Sequence, residues 1–150
     1  MPSVEIRPAV AADLADIQSC ARKAYAKYVG RMDREPAPMN ADFASRIADG
    51  CVKVATWKAR FAGYVVFYGM GDYLHLENIA VLPECSGLGI GRSLIEHVEH
   101  AARKSDCEAV ELYTNEAMTE NLAMYAKLGY VEVGRRRESG FNRVFFRKPV

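Results

Sequence analysis

Residues 76–94 read LENIAVLPECSGLGIGRSL, and the fold turns on how this stretch is parsed. Its apolar opening has the composition of a strand and breaks at Pro83. Glycines follow at Gly87, Gly89 and Gly91. Beyond them Leu94, Ile95, Val98, Ala101 and Ala102 recur on one helical face. A strand, a glycine turn and a helix N-terminus together suit a phosphate. Glycine lets the backbone approach the anion, free N–H groups point outward, and the helix dipole favours negative charge. The stretch therefore predicts a grip on a phosphorylated cofactor.

Working outward, residues 4–7 alternate and stop at Pro8, as a short first strand does. From Asp13, the expected N-cap, apolar positions recur at Leu14, Ile17, Ala21, Ala24, Tyr25 and Tyr28, a helical stripe ended by Gly30. Residues 31–40, RMDREPAPMN, are expected as an irregular loop. A short helix should follow, capped by Asn40, burying Phe43 and Ile47 and closing at Gly50. Three strand-like runs, 51–57, 61–69 and 73–82, are joined by Lys58-Ala59-Arg60 and by residues 69–72, connections short enough for an antiparallel meander. After the glycine turn and its helix, about 91–105, comes AVELYT at 109–114. A strand reached through a helix should lie parallel to 73–82. A last helix over 119–128 ends at Gly129, and strands 130–137 and 144–148 close the chain around a 138–142 turn. The order β-α-α-β-β-β-α-β-α-β-β predicts an α/β (α+β) domain with a mixed, mainly antiparallel sheet. It differs from a doubly wound parallel nucleotide fold.

At 150 residues, half of them apolar, the chain should form a single domain over 1–150. A net charge of +1 offers no electrostatic grip on nucleic acid or a membrane surface. The run Arg135-Arg136-Arg137 is flanked by Glu132 and Glu138 and reads as a solvated strand end. Cys20, Cys51, Cys85 and Cys107 form no CxxC pair and no Cys/His cluster with ligand spacing, so no metal is expected. With neither a leader pattern nor a membrane-length apolar run, a cytoplasmic setting is the expectation.

The glycine spacing excludes the common nucleotide motifs. A P-loop needs Lys then Ser or Thr after its last glycine, where this chain has Arg92-Ser93 at the wrong distance from the first. A GxGxxG fingerprint would put its third glycine at Arg92 or Leu94.

PECSGLGIGRSL resembles the acyl-CoA motif of the GNAT superfamily of N-acetyltransferases, (Q/R)xxGxG/A between a strand and a helix. TENLAMYAKLGY resembles that superfamily's second signature, a helix bearing a tyrosine and ending in Lys-x-Gly-aromatic. The element order is also the superfamily's, so the resemblance spans essentially the whole chain. One position departs: Ser86 stands where the motif has Gln or Arg, and Arg92 is a candidate substitute. The resemblance implies a GNAT-like fold with a splayed parallel strand pair. It also implies acetyl-CoA as acyl donor and a primary amine as acceptor, attacking directly in a ternary complex. The acceptor would be a small molecule or a peptide amine.

Under that resemblance, backbone N–H groups of Gly87, Leu88, Gly89, Ile90, Gly91 and Arg92 would hold the pyrophosphate. The strand backbone of Ile79, Ala80 and Val81 would pair with the pantetheine arm. An N–H from that strand would polarise the thioester carbonyl. Tyr125 fits a general acid: a phenol near ~10 stays protonated where a thiol near ~8.5 departs as thiolate. The same position also reads as a core aromatic beside Leu122 and Leu128. Asn121, one turn earlier, would contact the pantetheine or cysteamine end. An alkylamine near ~10.4 must lose a proton before it attacks. His75, Glu77 and Ile79 share one strand face. Glu77, between apolar neighbours where desolvation should raise its pKa, is the first choice of base, as in polyamine and small-amine branches of the superfamily. His75 is the second choice and solvent a third.

The acceptor side stays open. Tyr25, Tyr28, Tyr68 and Tyr73 offer an aromatic wall, or plain packing. Asp33, Glu35, Asp42 and Asp72 suit an amine, while Arg31, Arg34 and Arg143 suit a carboxylate. A non-catalytic acyl-CoA-binding sensor or partner module is the alternative to an enzyme. A homodimer through the last two strands is a further expectation.

Overall fold

The computed structural model describes residues 3–32 and 35–150. The strands are β1 (Val4–Pro8), β2 (Val52–Trp57), β3 (Arg60–Gly69), β4 (Tyr73–Val81), β5 (Ala109–Asn115), β6 (Val131–Glu138) and β7 (Phe141–Pro149). The helices are α1 (Leu14–Tyr25), α2 (Phe43–Ala48), α3 (Ile90–Lys104) and α4 (Thr119–Lys127). One seven-stranded sheet runs in the order β1-β2-β3-β4-β5-β7-β6. The pairs β1–β2, β2–β3, β5–β7 and β6–β7 are antiparallel, and β4–β5 is parallel, as the helical crossover requires. The element order is the expected one.

Two compact units divide the chain: Met1–Phe67 with Asn78–His97, and Tyr68–Glu77 with Val98–Val150. In the first, α1 buries Ile17, Cys20, Ala21 and Tyr25 along the expected stripe. It ends at Tyr25, earlier than Gly30, and the chain tightens into a 3₁₀ turn over Ala26–Arg31. Asp13 precedes α1, but its carboxylate makes no cap bond to that helix. It accepts instead from the Val10 N–H at 2.8 Å and from the Arg7 guanidinium at 2.8 and 2.9 Å, tying the end of β1 to the helix entry. That partner holds the Asp13 carboxyl below its usual range.

The short helix α2 is capped by Asp42, whose side chain takes the Ser45 N–H at 3.2 Å and the Ser45 hydroxyl at 2.8 Å. Asn40, the expected cap, instead closes a 3₁₀ turn over Ala37–Asn40 inside the stretch expected as loop, and donates to Glu35. The β2–β3 hairpin turns on two residues, Lys58 and Ala59, both at positive φ. That geometry matches the twist of adjacent strands. At Gly63 the chains come so close that an added Cβ would stand 2.6 Å from the Ala80 carbonyl oxygen.

In the second unit, registered parallel pairs run from Tyr73 with Ala109 to Leu76 with Leu112, in strands that continue to Val81 and Asn115. Ser139 and Gly140, again both at positive φ, join β6 to β7 in a tighter turn than 138–142. Alternation along β5 and β7 puts Leu112, Thr114, Val144 and Phe146 on one buried face. On that face Tyr125 of α4 meets Phe146 with ring centroids 5.9 Å apart, and Met118 accepts the Thr114 hydroxyl at 3.4 Å.

Candidate functional site

The glycine turn and the start of its helix lie in the first unit. Gly87 and Gly89 adopt φ of +80° and +79°, conformations that cost any residue with a Cβ. A Cβ at either would meet nothing within 4 Å, so backbone conformation is what requires these glycines. Leu88 between them is exposed, while Ile90 is buried and anchors the first turn of α3. The Ser93 N–H reaches the Gly89 carbonyl at 3.0 Å, and the N–H groups ahead of it have no acceptor within the helix. Ser86 donates its hydroxyl to the Pro83 carbonyl at 2.8 Å, closing the 3₁₀ turn Pro83–Cys85. Arg92 points along the surface and pairs with Glu96 at 3.1 Å one turn on.

Along the end of β4, Ala80 is buried, and Ile79 and Val81 are half-buried. The Ile79 carbonyl accepts the Tyr25 hydroxyl at 2.7 Å. Tyr25 also packs on Tyr28, whose ring carries the Arg31 guanidinium at 5.3 Å. This tie from α1 to β4 had no signal in the sequence beyond a tyrosine on an apolar stripe. Nearby, Tyr64 is fully buried, donates to Asn78 at 2.8 Å, and has its phenol pushed far up by burial.

The proposed proton-handling residues lie in the second unit. Tyr125 is 3 % exposed. Its ring meets Tyr130 edge-on at 5.7 Å and Phe146 at 5.9 Å, the aromatic partners next to it in space where sequence pointed to Leu122 and Leu128. Asn121 is half-buried with its amide 3.6 Å from the Met118 sulfur. His75 and Glu77 share a strand face as expected, both half-buried. Glu77 accepts the Tyr68 hydroxyl at 3.1 Å, and His75 lies 5.5 Å from the rings of both Tyr68 and Tyr113.

A charge cluster around the buried Glu99, joined to Tyr125 through Tyr130, had only a faint signal in the sequence. Glu99 on α3 is 6 % exposed, accepts the Tyr130 hydroxyl at 2.9 Å, and holds Lys148 of β7 with both oxygens at 3.2 Å. Burial first, then the Glu99 charge, pushes the Tyr130 phenol far above its usual range. Glu99 follows Ile95 by four positions and precedes Ala102 by three. A carboxylate on the apolar stripe was the available signal.

Several of the expected acceptor groups make contacts within the chain. Tyr25 and Tyr28 pair in the first unit, and Tyr68 pairs with His75 in the second. Asp42 is the α2 cap, Glu35 binds Asn40, and Arg143 stacks on Tyr113 at 4.2 Å. Asp33 and Arg34 lie outside the described residues. Among the described residues there is no group of three or more His, Cys, Asp or Glu that could hold a metal ion, and no helix is long and apolar enough to cross a membrane.

A strand ending in a glycine turn, a helix starting on that turn and one parallel pair in a mixed sheet define an acyltransferase-like architecture. Residues 14–130 match the family model described as Acetyltransferase (GNAT) family, and the chain belongs to that family. No curated protein sequence matches it. Among solved structures it is similar to the PaiA N-acetyltransferase from Thermoplasma acidophilum in complex with coenzyme A, with a TM-score of 0.83 and 16 % identity over 99 % of each chain. It is similar to the ribosomal-protein-S18-alanine N-acetyltransferase from Escherichia coli, at 0.79 and 22 % over 99 % of this chain and 94 % of that one. It is also similar to a GNAT family acetyltransferase from Elizabethkingia anophelis with acetyl-CoA bound, at 0.74 and 17 % over 98 % of each.

Proposed function

We propose that the chain is an acetyl-CoA-dependent N-acetyltransferase, acting as one catalytic domain over 1–150 and transferring an acetyl group directly to a primary amine. The observation that carries this is the pair of positive φ angles at Gly87 and Gly89 immediately before α3, in a chain of the acetyltransferase family. The turn leaves N–H groups of residues 87–92 to receive the pyrophosphate. Ile79, Ala80 and Val81 line the pantetheine arm, with Asn121 at its thiol end. Glu77 takes one proton from the ammonium and releases it to solvent, the amine nitrogen forms a bond to the acetyl carbon, the carbon–sulfur bond breaks, and the nitrogen gives up its second proton to solvent as the amide forms. Tyr125 gives its proton to the departing thiolate and regains one from solvent.

Release of CoA, followed across a broad amine panel, tests this. Tyr125→Phe should lower kcat about 100-fold with little change in acetyl-CoA affinity. Glu77→Gln should lower kcat/KM by about 100-fold, the usual size of a lost general base. An unchanged rate in Tyr125→Phe overturns the acid assignment. Acetyl-CoA binding without turnover of any amine would mean a non-catalytic module.

A further inference from the structure

Helices α3 and α4 reach the second unit's sheet on one face, where Phe146, Thr114 and Lys148 meet Tyr125, Met118 and Glu99. The residues of opposite parity form an aromatic row. Tyr68, His75, Tyr113 and Phe145 come from four adjacent strands, with successive centroids 5.5, 5.5 and 5.4 Å apart. All four are half-buried.

Its two ends carry opposite charge. At the β3–β4 end stands Glu77, 3.1 Å from the Tyr68 hydroxyl. At the other, Arg143 lies 4.2 Å over Tyr113 and Arg136 4.1 Å over Phe145. These two guanidiniums share Glu138, at 3.4 and 3.6 Å, lengths that leave the pairing loose. Stacking on a ring orients a guanidinium before any ligand arrives, so less freedom is lost when it forms a forked pair.

We propose that this row is the acceptor platform, and that the acceptor is a small amine with a flat, apolar body and a carboxylate remote from the amine. The assignment rests on the acetyltransferase reading, with the amine at the Glu77 end. Ring faces take the flat body. The Arg136–Arg143 end takes the carboxylate by competing with Glu138. From β4 to β7 is two strand spacings, roughly 10 Å, which sets the separation of amine and carboxylate. A free α-amino acid is too short for that span. A polyamine would bring its second cation against two arginines.

Three acceptors decide it, each assayed at saturating acetyl-CoA: an arylalkylamine with a remote carboxylate, its methyl ester, and spermidine. The acid should exceed the ester in kcat/KM by about tenfold, the size of one charge-assisted contact. In Arg143→Gln, and separately in Arg136→Gln, that ratio should fall towards one. Preference for the ester or spermidine, or a ratio unmoved in both variants, overturns the platform while leaving the acetyltransferase reading intact. Calorimetry of the acid on the CoA-loaded protein reads the same ratio without turnover. Acid binding that weakens in both variants, in a protein that acetylates nothing, would support the platform and overturn the acetyltransferase reading instead. Absence of acid binding, with no turnover, overturns both.

Discussion

Replacing Gly63 with alanine separates a glycine kept for space from glycines kept for conformation. The added methyl would lie 2.6 Å from the Ala80 carbonyl oxygen and 3.2 Å from the Val81 Cα, both main-chain atoms. Neither can swing aside as a side chain does, so β3 and β4 must part by several tenths of an ångström. Overpacking typically costs about 1–3 kcal/mol, and a clash with backbone in the buried middle of a strand belongs at the upper end. A loss of about 2–3 kcal/mol should lower the melting temperature by roughly 4–12 °C for a chain of this size. Because the displaced strand carries Ala80 and Val81, the residues proposed to line the pantetheine arm, acetyl-CoA affinity should fall as well. Gly89→Ala is the first control. Its φ of +79° makes the cost about 1–2 kcal/mol with no clash at all. Gly91→Ala is the second. Its Cβ would rest 3.7 Å from Val81 Cγ2, an ordinary contact inside α3, and alanine's helix preference should leave stability equal or higher. Thermal and urea melts on the three variants give the order. Gly63→Ala as stable as wild type, or Gly91→Ala the least stable, would refute the geometry.

Two further outcomes follow from groups outside the proposed chemistry. Asp13→Asn should cost about 1–2 kcal/mol at neutral pH, with the half-exposed Arg7 partner limiting the size. Since the Asp13 carboxyl titrates lower in the folded chain, its contribution is present above the unfolded value near ~3.9 and is lost as pH falls through the folded one. The stability gap between the two proteins should therefore narrow steadily as pH falls below that unfolded value, and a gap that does not narrow contradicts the Arg7 pairing. Cys20 is fully buried, and burial pushes its thiol up to about 12. An alkylating reagent should modify Cys51, Cys85 and Cys107 in the native protein and reach Cys20 only after denaturation, as intact-mass spectrometry would register; native modification of Cys20 sinks this.

Element order and the parallel pair were legible because periodicity and connection length are local signals. The stripe from Ile17 to Tyr25 and the alternation of β4 needed no tertiary information. Cap identity was less legible. Asn40 and Asp42 are both good caps, and the choice fell to the 3₁₀ turn that occupies Asn40. Asp13 has the composition of a cap, yet Arg7, six residues earlier, draws its carboxylate back towards β1. At the site, the glycine turn could be read residue by residue because φ > 0 leaves a mark in composition. The Tyr25–Ile79 bond and the row from Tyr68 to Phe145 could not. They join residues 54 apart in one case and four strands in the other, and depend on register.

The Glu99–Tyr130–Lys148 cluster constrains how this sequence can drift. Its members come from α3, the start of the last hairpin and β7, so they are far apart in the chain and yet answer to one another. Losing Lys148 alone would strand a carboxylate in the interior, and losing Glu99 alone would leave a half-buried ammonium without its counter-charge. Tyr130 would then keep a hydroxyl without its acceptor. Replacing all three by apolar residues of similar volume removes the conflict, whereas each single step towards that state is penalised. Chains descended from this one should therefore either keep all three residues or have exchanged them together, making positions 99, 130 and 148 one heritable unit.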